Sequence, residues 1–168
     1  VVHEPTAMLK RFLFLALLVG TAWAKPVTTR YFEVTVPDTW EERPTPGAFY
    51  LLYPGRDVDD PEEANISIAS SSISGGMSMD GLTFMGKNQI EREYPEVALA
   101  SSTPTKVGKM IAHRFEYKGV RKGKKYEVVQ VFAMEGSKSY TVQFVGSEAD
   151  FNSVRGAFDQ LLRGFRSL

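Results

Sequence analysis

The sequence contains no cysteine, which excludes disulfide staples, thiolate nucleophiles and cysteine-held metal centres together. An excess of charge of either sign is also lacking, since 20 Lys and Arg stand against 20 Asp and Glu. A neutral chain has no basic footprint with which to neutralise phosphates, so no nucleic-acid partner is expected. Only 2 histidines occur in 168 residues, too few for a histidine-built zinc site without sulfur ligands. No apolar run approaches the roughly 20 residues that cross a bilayer as a helix. No Gly-x-Ser-x-Gly elbow and no dinucleotide fingerprint is present, and no cofactor is expected.

What remains is an ordinary globular composition, 43% hydrophobic and 12% aromatic. The first residues have a different texture. After Met8 come Lys10 and Arg11, the apolar stretch Phe12 to Val19, and Gly20-Thr21-Ala22-Trp23-Ala24, which closes on small-x-small. That order is the pattern of a secretory signal, expected over residues 8–24 with cleavage after Ala24. Residues 1–7 carry no signal character and are read as upstream of the native start. Residues 25–168 are then expected to form one domain, large enough to hide about two thirds of its unfolded surface without staples. With no lipobox cysteine, the exported product is expected in the periplasm or outside the cell, without a stable membrane anchor.

Within that domain, Phe32, Val34 and Val36 alternate with Glu33 and Thr35 as in a half-buried strand, which Pro37 ends. Phe49 to Tyr53 and Ile66 to Ser70 predict two more strands. Ser78 or Asp80 caps an expected helix with Leu82, Met85 and Ile90 on one side, stopped by Pro95. Val97 to Ser101 reads as a short strand, and Met110 to Tyr117, Tyr126 to Met134 and Tyr140 to Val145 as long ones, with Gly119, Gly123 and Gly136 marking the turns. Ser147 to Asp150 opens a closing helix carrying Phe151, Val154, Phe158, Leu161, Leu162 and Phe165 at helical spacing. The strand from Tyr126 is apolar on both parities, as a central strand covered on both faces would be. The expected class is α+β, a three-layer α/β/α sandwich with a mainly antiparallel sheet.

Phe32-Glu33-Val34-Thr35-Val36-Pro37-Asp38-Thr39-Trp40 resembles the opening strand-proline-tryptophan signature of the PsbP/Mog-type superfamily, and especially its bacterial DcrB-like envelope branch. Tyr140-Thr141-Val142-Gln143-Phe144, followed by Phe151, Phe158 and Phe165, resembles that group's last strand and aromatic closing helix. The resemblance runs over residues 31–166. It implies the sandwich fold and a binding or accessory role rather than an enzymatic one, with a protein partner in the envelope. The chain departs from the DcrB pattern in lacking a lipidation cysteine.

Among side chains suited to chemistry, His113 shares strand parity with Ile111, Phe115 and Tyr117 and points to an apolar face. General acid–base work needs a positioned partner that the sequence does not display. Asp57, Asp59, Asp60, Glu62 and Glu63 crowd one loop; their oxygens suit a hard cation such as calcium, although the spacing is not that of an EF-hand. Asn65-Ile66-Ser67 matches a glycan acceptor at the start of a strand. Lys118, Arg121, Lys122, Lys124 and Lys125 surround a hairpin tip and form a candidate docking surface for an acidic partner. The serine- and glycine-rich stretch from Ser70 to Met79 lacks the lysine and spacing of a phosphate loop and reads as a mobile surface loop that could form part of a partner-binding rim. The leading expectation is an exported, non-enzymatic binding protein of the bacterial envelope. The alternatives are an immunity-type inhibitor of a secreted toxin and an envelope hydrolase.

Overall fold

A computed structural model describes residues 24–45, 49–55, 64–73 and 75–168. The expected signal segment, apart from Ala24, lies outside the described residues, as does the whole acidic run Asp57 to Glu63.

Chain order is β1 (Ala24–Thr28), β2 (Phe32–Pro37), β3 (Glu41–Pro44), β4 (Phe49–Tyr53), β5 (Asn65–Ser72), α1 (Met79–Glu93), β6 (Val97–Val107), β7 (Met110–Arg121), β8 (Lys124–Glu135), β9 (Lys138–Ser147), α2 (Glu148–Gly164) and β10 (Arg166–Ser167). The alternation read in β2 is met by burial of Phe32, Val34 and Val36. Seven strands pair antiparallel in the order β3-β4-β5-β9-β8-β7-β6, and β1-β2-β10 form a second, smaller antiparallel sheet. Lys25 ties β1 to the start of β3 in the larger sheet, its ammonium donating to the Trp40 carbonyl at 2.9 Å and facing Glu42 at 2.6 Å.

Strand β8 supplies both apolar clusters through alternate residues. Val129, Val131 and Ala133 join the cluster that holds Phe151, Phe158 and Leu161 of α2 together with β2. Val128 and Phe132 join a second cluster with Ile90 of α1 and Phe115 and Tyr117 of β7. The fold is therefore α+β, with a sheet built from antiparallel pairs and two helices among the described residues.

Both helix starts follow from capping chemistry. The Ser78 hydroxyl accepts from the Gly81 amide, and Ser147 and Asp150 form a reciprocal capping box at α2. One orientation differs from the sequence reading. Met85 was expected beside Leu82 and Ile90 on the inner side of α1, yet it is exposed. The cause is Gly86, which is buried so tightly against Phe132 that an added Cβ would fall 1.9 Å from the ring. That contact turns Gly86 and Ile90 inward and leaves Phe84 and Met85 in solvent. Strand β6 also runs farther than Ser101, to Val107, across a register shift between Leu99 and Ser101 that has the form of a β-bulge.

Candidate functional site

The basic tip is the β7–β8 hairpin. Arg121 pairs with Lys124 across Lys122-Gly123, and both turn residues have positive φ, 49° and 77°. A two-residue turn of this kind matches the strand twist, and glycine takes the second position without steric cost.

Register and helix placement then bring acids to the cations. Lys118 donates to Glu148 at 3.2 Å and lies 3.8 Å from Glu127, while Lys125 lies 3.5 Å from Glu148. Arg121 faces Glu96 at 3.3 Å and donates to the Tyr126 hydroxyl at 3.2 Å. The hydrogen bond from Lys118 holds the Glu148 carboxyl below the usual range, and the same bond raises Lys118. At the tip, then, Lys118, Lys125 and Arg121 are engaged with acids of α2 and of the segment before β6, while Lys122 lies in the turn and Lys124 opens β8.

Beneath α2 the network continues inward. Arg114 bridges Glu116 at 2.8 Å and Asp159 of the helix at 2.9 Å. Arg155 stands 4.0 Å from Glu127 and stacks over Phe151 at 4.4 Å. Glu127 is 0% exposed, and neither carboxylate oxygen has a hydrogen-bond partner. Burial raises its pKa, partly opposed by Lys118. Sequence reasoning missed this group. The signal was present, because Glu127 shares parity with Val129, Val131 and Ala133 and must point the same way.

His113 sits on the α1-bearing face, half-buried, stacked on Phe115 at 4.7 Å and bonded through Nε2 to Ser102 Oγ at 2.8 Å. Nothing in the alternation pattern marked Ser102, because the pairing of β6 with β7 was needed to set it opposite Phe115, beside His113. The apolar face expected around the histidine holds at Phe115 and Tyr117 and fails at Ile111, which lies in solvent. On the same face, Gln130 is buried and donates to Gln143 at 2.9 Å, leaving its own side-chain oxygen without a partner. Among the described residues no group of three His, Cys, Asp or Glu is placed to hold a metal. The calcium candidates Asp57, Asp59, Asp60, Glu62 and Glu63 lie outside the described residues, and the flanking Ala64 and Asn65 stand at the same end of the sheet as the basic tip. Ile73, in the serine-rich stretch, donates to the Ser137 carbonyl at 2.8 Å.

No family model matches the chain, and no curated protein does. Solved structures do. Cyanobacterial PsbP (CyanoP) from Synechocystis sp. PCC 6803 is similar over 89% of this chain and 95% of its own, at 16% identity and TM-score 0.64. LpqN, described as involved in cell envelope biogenesis of Mycobacterium tuberculosis, is similar over 86% of this chain and 90% of its own, at 13% identity and TM-score 0.68. The Ran-binding protein Mog1p of Saccharomyces cerevisiae is similar over 87% and 96%, at 11% identity and TM-score 0.61. The fold is PsbP/Mog-like, as the strand-proline-tryptophan and aromatic-helix motifs implied.

Proposed function

We propose that the protein is an exported, non-enzymatic binding or accessory protein of the bacterial cell envelope, similar in role to DcrB-like proteins, on a three-layer α/β/α scaffold. The observation that carries this reading is the likeness to CyanoP, LpqN and Mog1p over nearly their whole chains. A protein described by its part in envelope biogenesis and another described by its binding of Ran share this framework; fold alone does not transfer a role. Support from the chain itself comes from the leader pattern over residues 8–24 and from the split of β8 between two clusters, one with each helix.

The test is fractionation of cells expressing the tagged full chain, followed by amine crosslinking and mass spectrometry. The expected result is an envelope fraction with one stoichiometric protein linked through Lys122 or Lys124. Cytoplasmic retention of the full-length chain, or no crosslinked protein at low and moderate salt, overturns it.

A hydrolase reading has one observation in its favour, the Ser102–His113 contact. A nucleophile and base within hydrogen-bond reach are normally completed by a third group that orients the base. Loss of a measured hydrolysis in both Ser102→Ala and His113→Ala would establish it, and loss in neither removes it.

A further inference from the structure

The end of the sheet opposite the basic tip combines unpaired cations with exposed apolar side chains. Lys106 and Lys109, at the β6–β7 turn, are exposed and meet no acid among the described residues. Gly108 in that turn donates to the Leu162 carbonyl at 2.7 Å, which brings Arg163, also exposed and without an acid, to the same place. Two exposed acids share this end, Asp80 and Glu135, and Glu135 is paired in register with Lys138.

The apolar part comes from β7 and α1. Lys106 pairs with Ile111 and Ile111 with Met134, so the three share the α1-bearing face. The bond from Ile73 to the β8–β9 turn fixes the approach to α1 at this end, and Gly86 on Phe132 fixes its course. Ile111 is 75% exposed, Phe84 66% and Met85 58%, three of the four most exposed large apolar side chains among the described residues. A helix packed on a sheet normally turns its aromatic residues inward; α1 holds Phe84 outside.

We propose that this end of the molecule docks reversibly on an anionic lipid surface, with Phe84, Met85 and Ile111 entering the headgroup boundary and Lys106, Lys109 and Arg163 meeting lipid phosphates. Charge complementarity selects this occupant. Lysines at turns are flexible point charges that suit mobile headgroups better than a fixed carboxylate, which favours arginine geometry. Apolar insertion and basic attraction together give the two signals that reversible attachment needs. The inference goes beyond the protein-partner reading and does not depend on it.

Because the chain has no cysteine, Asn88→Cys gives the full-length protein a single site for an environment-sensitive fluorophore, one turn from Phe84 on the exposed side of α1. With vesicles of phosphatidylcholine and phosphatidylglycerol, the emission is expected to shift to the blue and to recover in high salt. The same label at Lys124→Cys is expected to stay in water. In cosedimentation with those vesicles, Lys106→Ala combined with Lys109→Ala lowers the partition coefficient about thirtyfold, against an unchanged circular dichroism spectrum. Any apolar attraction from Phe12 to Val19 is common to parent and variant, so the difference reads this end alone. The proposal is overturned by a silent label at residue 88, by an equal response to pure phosphatidylcholine, by undiminished binding of the double variant, or by a shift that follows protein concentration without vesicles, which would mark self-association.

Discussion

Two hairpins at opposite ends of β7 turn on the same two residue types in reverse order, Gly108-Lys109 between β6 and β7 and Lys122-Gly123 between β7 and β8. Both glycines have positive φ, and there the likeness ends. Gly123 has open space where a Cβ would stand, whereas a Cβ on Gly108 would fall 2.1 Å from the Phe165 carbonyl oxygen. The first hairpin is pinned to the end of α2 by backbone, and the second is held through side-chain charges on Glu148 and Glu96. Backbone contacts fix a turn whatever the salt; exposed ion pairs contribute about 0–1 kcal/mol each and weaken as ionic strength rises.

The largest break in this contrast is Gly108→Ala, which meets backbone that cannot yield and takes an unfavourable φ. A loss of about 3 kcal/mol or more is expected from the urea midpoint, and a loss below 1 would show that the hairpin is not pinned. Glu127→Gln tests the charged side with an opposite sign. Because burial raises this carboxyl above 4.5 in the fold, the native state holds more protons than the unfolded state between the ordinary and the raised value. Its stability contribution therefore falls as pH rises through that window. The glutamine variant is expected to be more stable than the parent at neutral pH, and the two denaturation curves should converge below the ordinary carboxylate range. A variant less stable at pH 7 would mean that Lys118 and Arg155 outweigh the cost of burial. Gly123→Ala, strained but unobstructed, should cost about 1 kcal/mol, a third of the effect at Gly108. Lys124→Ala, at the tip without an acid among the described residues, should change thermal stability by no more than about 0.5 kcal/mol.

The contrast also marks what can be read from residue order. Strands β2, β7, β8 and β9 and both helix starts were legible because alternation and capping are local. Strand β1 was not, since Ala24–Thr28 buries only Val27 and begins at the edge of the leader pattern. Nor was β3, a four-residue run of Glu41, Glu42, Arg43 and Pro44 with no apolar alternation. The serine, threonine and proline residues of β6 have the texture of a loop until its ladder with β7 is known. At the candidate site, the lysines were visible because they are neighbours in sequence. The acids that meet them were not, because Glu96 and Glu148 reach the tip only through the placement of β6 and α2. Glu127 was hidden in plain view by the apolar residues around it, and the exposure of Met85 depended on one tight contact, Gly86 on Phe132.

The Gly108 amide, bonded to Leu162, has a kinetic consequence. A helix leaves its last carbonyls without intrahelical donors, and α2 receives one from a turn 54 residues earlier in the chain. The last turn of α2 is complete only when the hairpin has docked, and the docked hairpin needs the helix in place, so neither can melt alone without exposing an orphaned group. The Gly108 proton is thus expected to exchange with deuterium only when both elements part, and its rate would report the cooperativity of the domain from a single backbone position.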